Sequence, residues 1–201
     1  MPKSTFYNLP IEKQKKVIKA GKKEFSKWNI NKASINRIIK NAKISKGSFY
    51  QYFVDKDEFY WYIVELVIKD NITLYDQLLE DNDGDIFLVE EIQLKELFKL
   101  FANESYQGLI RNVFLYSASK IKQNLYHHDE LNFNVMYQIF LSRTNNHYNI
   151  TSEEDFNAFF DMLRTLSHAC IIGVVSNAYS ENYALELYNK QINLIKSGLE
   201  N

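Results

Sequence analysis

The sequence predicts an all-α protein: an N-terminal three-helix helix-turn-helix domain followed by a larger C-terminal helical bundle, about nine helices in all. Three observations carry this. Apolar residues recur at helical spacing along most of the chain. Turn-formers are scarce, with 6 Gly and 2 Pro in 201 residues, too little punctuation for a sandwich or barrel. Good N-cap residues precede several of the apolar-periodic stretches.

Charge divides the chain. Residues 1–56 carry 14 Lys or Arg against three acids, a net +11, while residues 57–201 carry 10 against 22, a net −12. A basic head can neutralise phosphates. The acidic body has no reason to touch nucleic acid. The predicted domains are therefore 1–54, binding DNA, and 55–201, a helical body. A small DNA-binding module on a larger body implies a regulator. Hydrophobic residues at 46% and charged residues at 24% argue for a folded chain. Cys170 is the single cysteine, so no intramolecular disulfide forms, and a cytoplasmic location is expected. No signal peptide and no run approaching ~18–20 apolar residues is visible, so no membrane partner is expected.

The first helix is expected from Pro10 to Lys27. Pro suits a first turn, and Val17, Ile18, Gly21 and Phe25 form one stripe. Ser34 caps the second helix, whose apolar face is Ile35, Ile38, Ile39 and Ala42. Ser45 caps the third. Its first turn holds Lys46, Gly47 and Ser48, and Phe49 and Phe53 pin it to its neighbours. Small residues at this tip allow close approach to base edges. Lys46 suits guanine O6 or N7, Ser48 suits several bases, and the free amides of the first turn suit a phosphate. Tyr50 and Tyr52 are read either as packing residues or as phosphate donors. Asp55 and Glu58 form a capping box for the fourth helix. Lys56 is a cation at that helix start, a placement that favours a nearby phosphate.

This constellation resembles the DNA-binding region of TetR-type transcriptional regulators over about residues 8–68. The resemblance rests on Phe25, Ser34, Ile38, Ala42, Ile44-Ser45, Lys46-Gly47-Ser48-Phe49-Tyr50, Phe53 and Lys56. One departure is Lys43, where the family often has Gly. A left-handed backbone there would cost about 1 kcal/mol. The resemblance implies DNA-facing roles for Ser34, Lys46, Gly47, Ser48, Tyr50, Tyr52 and Lys56. Lys46 and Ser48 lie nearest the bases, and Gly47 permits close approach. Beyond that region it implies only a helical ligand-binding and dimerisation body. Repression of a palindromic double-stranded DNA operator, with release by a small effector, is the expected function.

In the body, the fourth helix carries Phe59, Ile63, Leu66 and Val67 inward, and "EDNDGD" breaks it. Further helices are expected at about 86–102, 106–120, 131–141, 152–179 and 183–199. Phe98, Phe101, Phe114, Tyr137, Phe140 and Phe159 lie on separate helices. They are read either as core filling or as the lining of an apolar effector pocket. Tyr116, His168 and Arg111 are candidates for its polar ends. The last two helices have broad apolar faces, which a homodimer would bury as a four-helix bundle. Leu163, Ala169, Ile172, Gly173, Leu185, Ile192 and Ile195 are its candidate interface.

Enzyme chemistry has no support. His127-His128-Asp129 point apart on any helix, no metal-ligand spacing accompanies them, and neither a phosphate loop nor a nucleophile elbow is present. No cofactor and no metal is expected. The competing class is a helical adaptor whose basic head binds a protein or an acidic membrane. It leaves the capped helix pair with Lys46-Gly47-Ser48 at its tip unexplained.

Overall fold

A computed structural model of the chain describes residues 1–101, 108–109, 112, 134–144 and 148–199. The helices are α1 (Ser4–Tyr7), α2 (Ile11–Lys27), α3 (Ile35–Ala42), α4 (Lys46–Tyr52), α5 (Lys56–Asp81), α6 (Ile86–Phe101), α7 (134–143), α8 (Glu153–Val175) and α9 (Glu181–Leu199). No strand occurs among the described residues. The chain divides into two compact units. The first holds Met1–Asp70 together with Gly108, Leu109 and Asn112; the second holds the other described residues from Asn71 onward.

The first unit is built round aromatic rings. Phe6, Phe25, Phe49, Phe53 and Phe59 are fully buried with Ile38 and Ile63. The Phe53 and Phe59 rings lie 4.4 Å apart, and Phe49 touches both. Each buried ring contributes about 1.5–3 kcal/mol. Gly21 lets this happen, because a Cβ there would sit 2.5 Å from the Phe59 ring. Leu109 joins the same core, and the Asn112 amide donates to the Phe25 carbonyl at 2.8 Å.

Helix ends follow the cap chemistry of the sequence. Ser45 Oγ accepts the Ser48 N–H at 3.0 Å, and Asp55 accepts the Glu58 N–H at 2.7 Å. Glu58 reaches back to the Val54 N–H, one residue ahead of the cap, at 2.5 Å. Lys43 adopts the left-handed conformation, φ 56° and ψ 46°. The Ile44 N–H then bonds the Ile39 carbonyl at 3.1 Å and the Lys43 N–H bonds Lys40 at 3.4 Å, which closes α3 as a Schellman turn. Ile39 and Ile44 both pack on the core, the hydrophobic contact that accompanies this turn.

In the second unit, Gly84 (φ 79°) makes the break after α5. A Cβ there would meet the Arg143 carbonyl at 2.2 Å. Arg143 in turn bridges Asp76 at 2.7 Å and Glu80 at 3.1 Å. Ser152 caps α8 by accepting the Asp155 N–H. The helix ends at Val175 rather than near Tyr179. Asn177 turns left-handed, and the Ala178 and Tyr179 amides both donate to the Gly173 carbonyl. The Tyr179 ring then lies where a Cβ on Gly173 would be, at 2.1 Å.

By length and composition α8 is long and apolar enough to cross a membrane. One face of it packs into the unit's core. Phe156, Phe159, Leu163 and Cys170 are buried, α8 packs on α6 and α9, and its first turn is Glu153, Glu154 and Asp155.

Candidate nucleic-acid interface

Helix α4 projects the chemistry predicted for DNA. Lys46 and Gly47 are exposed at its start and Ser48 is half-buried. A Cβ at Gly47 would meet nothing nearer than Ser45 Oγ at 3.7 Å, so the space over this residue is open. The Ser48 hydroxyl shares a 2.8 Å hydrogen bond with Ser45 Oγ, so either hydroxyl remains able to turn outward as acceptor or donor. Tyr50 is 41% exposed, its ring edge-on to Phe49. Tyr52 is half-buried against Phe6. The structure thus separates the two tyrosines: one presents its ring to solvent, the other leans on the core.

The far end of α4 is anchored by a segment the sequence reading passed over. The Lys3 N–H donates to the Tyr52 carbonyl at 2.8 Å, the Lys3 ammonium to the Tyr50 carbonyl at 2.8 Å, and the Thr5 hydroxyl to the Gln51 carbonyl. Three carbonyls that a helix end leaves open are satisfied this way. Phe6 locks the strap by touching Tyr52, Phe53 and Tyr62.

Ser34 caps α3 by its backbone position but makes no side-chain cap bond. Its N–H donates to Glu24 Oε1 at 2.8 Å, and Glu24, buried in α2, also receives the Arg37 guanidinium at 2.6–3.1 Å. The bond to Glu24 raises the Arg37 pKa. Arg37 lies over the Trp28 ring at 5.0 Å and donates to the Lys32 carbonyl. Lys56 is half-buried, and its ammonium donates to the Ala33 carbonyl at 3.1 Å. Ser34 and Lys56 are therefore brought side by side at the start of α3. Lys46, Gly47, Ser48 and Tyr50 share the surface of α4.

Residues 17–62 match the family described as "Bacterial regulatory proteins, tetR family", and residues 85–199, more than half the chain, match "Tetracyclin repressor-like, C-terminal domain". The chain belongs to the TetR family. It is accordingly a DNA-binding transcriptional regulator, not an enzyme. It is 28% identical over 75 residues to an HTH-type transcriptional regulator of Staphylococcus aureus (strain bovine RF122 / ET3-1). That match covers 37% of this chain and 40% of that protein, so the chain aligns with less than half the length of this relative. Among solved structures, a putative TetR-family transcriptional regulator from Mesorhizobium loti superposes with a TM-score of 0.63 at 16% identity, covering 95% of this chain and 98% of that one. E. coli NemR in its reduced form gives 0.57 at 12%, covering 94% and 98%. These likenesses establish the fold.

In the second unit of this TetR-family chain, Tyr137, Phe140 and Phe159 enter one aromatic cluster. Tyr137 and Phe140 both touch Phe156, and Phe159 reaches it through Phe87, Tyr148 and Phe140. Phe98 is buried on α6. Phe101 ends α6, while the Phe101 side chain and Phe114, Tyr116 and Arg111 lie outside the described residues. His168 is partly buried, and burial with the Arg164 charge brings its pKa down to about 4. A polar group missed from sequence lies in this unit. Glu90 of α6 is buried, and that burial lifts its pKa to about 7. Of the candidate interface residues, Leu163 and Ile192 are buried within the chain, Gly173 is covered by Tyr179, Leu185 and Ile195 are half-buried, and Ala169 and Ile172 are exposed.

Proposed function

We propose that this TetR-family regulator is a repressor that binds a palindromic operator as a homodimer and leaves it when a small, largely apolar or aromatic effector binds the second unit. The observation that carries the DNA half is the anchored α4. Lys46 and Gly47 stand exposed and unobstructed at one end, while three carbonyls at the other end are held by Lys3 and Thr5. A helix fixed at its rear can present its tip to a major groove at a defined angle.

The dimer half rests on α8. Ala158, Met162, Thr165, Ala169 and Ile172 are exposed at helical spacing on the face opposite its buried stripe. An apolar, small-residue face of this kind suits close packing of a second copy. The effector half rests on the aromatic cluster round Phe156. Helix α5 begins at Lys56, which bonds the loop before α3, and continues unbroken to Asp81. A change in its path is the simplest way for an effector to alter the spacing of two DNA-binding heads. The effector acts only through its different affinity for the two arrangements.

Selection from a random duplex pool with the purified protein tests this reading. It should enrich a palindrome whose half-sites lie one or more helical turns apart, about 34–36 Å per turn. Enrichment of no sequence, or of an asymmetric single site bound by a monomer, overturns it.

A further inference from the structure

Four helices of the second unit each send one polar group to the same buried place. Glu90 comes from α6, Tyr75 from α5, Ser167 from α8 and Tyr188 from α9. Glu90 is 8% exposed, Tyr75 4% and Tyr188 0%. The Ser167 hydroxyl donates to Glu90 Oε2 at a long 3.4 Å. The two phenol oxygens face the carboxylate, yet neither closes a hydrogen bond of ordinary geometry. No Lys or Arg pairs with Glu90 among the described residues. The adjacent Glu91 shows the contrast: it holds Lys95 at 2.5 Å and Asn189 at 3.3 Å.

We propose that Glu90, with Tyr75, Ser167 and Tyr188, is the polar end of the effector site and takes the ammonium group of a hydrophobic amine. This deepens the ligand-responsive reading above and rests on it. A buried carboxylate is costly unless paired, and so is a buried phenol without a partner. An ammonium supplies what is missing: a donor for the two phenol oxygens and a charge that compensates the carboxylate. Burial holds the Glu90 carboxyl near neutrality, so an arriving cation readily fixes it in the ionised form. Aromatic rings border the polar cluster. The Tyr75 ring meets Phe160 at 6.3 Å, and Phe160 stacks on Phe156 at 5.5 Å. Aromatic faces next to an anion are the ordinary setting for an organic cation.

The test uses 1-naphthylmethylamine, cationic at neutral pH, and 1-naphthylmethanol, its neutral isostere, titrated calorimetrically into the full-length protein. The amine is expected to bind at least about tenfold more tightly than the alcohol. In Glu90→Gln the preference should vanish while alcohol affinity stays within about twofold. Equal affinities in the unaltered protein, no binding of either compound, or a preference that survives Glu90→Gln overturns the proposal. The unaltered protein decides the first two outcomes even if the variant does not fold. A second readout separates this site from the broader reading. An amine that binds through Glu90 but leaves operator affinity unchanged supports the site and overturns ligand-responsive release. Release of the operator with no preference for the amine does the reverse.

Discussion

Glu24 and Arg37, thirteen residues apart in sequence, form an ion pair that joins α2 to the first turn of α3: Arg37 Nε lies 2.8 and 3.1 Å from the two carboxylate oxygens and Nη2 2.6 Å from Oε1. Glu24 is only 3% exposed and also takes the Ser34 N–H. The lone buried acid in a head of net +11 is thus the bracket that sets the angle between two helices of the DNA-binding motif. Replacing Glu24 by Leu leaves the Ser34 N–H without its acceptor, at a cost of about 1–3 kcal/mol. It also makes the head more basic. Charge alone would then tighten DNA binding, whereas misplacement of α3 would loosen specific binding. We expect a lower urea midpoint and weaker specific binding in Glu24→Leu. Tighter specific binding would show that the bracket does not matter for recognition.

Gly47 separates folding from recognition. The helix around it leaves a Cβ open space, and Ala is the better helix former by about 0.8–1 kcal/mol. Gly47→Ala should therefore keep or raise thermal stability. Its methyl group would occupy the surface that must approach DNA closely. Operator affinity should fall by about tenfold or more, as read by fluorescence anisotropy. An unchanged affinity would mean that the tip of α4 does not come that near the duplex.

Lys46 and Lys56 should behave differently. Lys46 is exposed and its side chain has no bond among the described residues, while Lys56 already holds the Ala33 carbonyl. Lys56→Ala is expected to weaken specific and unrelated duplexes alike and to reduce the salt slope by about 1. Lys46→Ala should erode the preference between them. Uniform losses in Lys46→Ala would reassign it to phosphate.

The face proposed for self-association can be charged without touching the core. Met162 is 48% exposed and Ile172 39%. Glu at both positions should convert a species of about twice 23.8 kDa into one near 23.8 kDa in sedimentation, with helix content unchanged. A double variant that still sediments as the larger species would place the dimer contact elsewhere.

The head was legible because its signals are local. Ser34 and Ser45 mark helix starts, the apolar spacing marks the faces, and the lysines mark the partner. Even the left-handed Lys43 was foreseeable from the usual Gly. Helix α1 was not, since four residues cannot display a period. The end of α8 was misjudged because no Pro or Gly closely follows Val175, and Ala178 and Tyr179 carry apolar character past the left-handed Asn177. Glu24 and Glu90 were missed for one shared reason: acids among charged neighbours look solvated. Position was the available signal. Glu24 continues the stripe of Val17, Ala20 and Gly21, and Glu90 continues that of Ile86, Leu94 and Phe98. An acid three or four residues from core positions along such a stripe is placed on the buried face.

Glu90 also makes stability depend on pH, in a direction its burial dictates. Its folded pKa is about 7, above the ordinary value of 4.5, so the folded state binds the proton more tightly than the unfolded state. The resulting stabilisation is fully present below about pH 4.5 and is lost as pH rises through about 7. The shift corresponds to a loss on the order of 3 kcal/mol by about pH 8. The groups facing Glu90 do not blur this window. Burial raises Tyr75 and Tyr188 further above their ordinary value of 10, and Ser167 does not titrate. His168 works the other way, its folded pKa of about 4 lying below 6.5, so its contribution is lost on acidification. Comparison with Glu90→Gln cancels that second effect, because both proteins keep His168. The variant has no proton to lose. Urea unfolding of the two proteins should give a difference that is flat below about pH 4.5 and then grows in favour of Glu90→Gln up to about pH 8. Parallel curves across that range would mean that Glu90 has the same pKa in the folded and the unfolded protein, so that a partner offsets its burial.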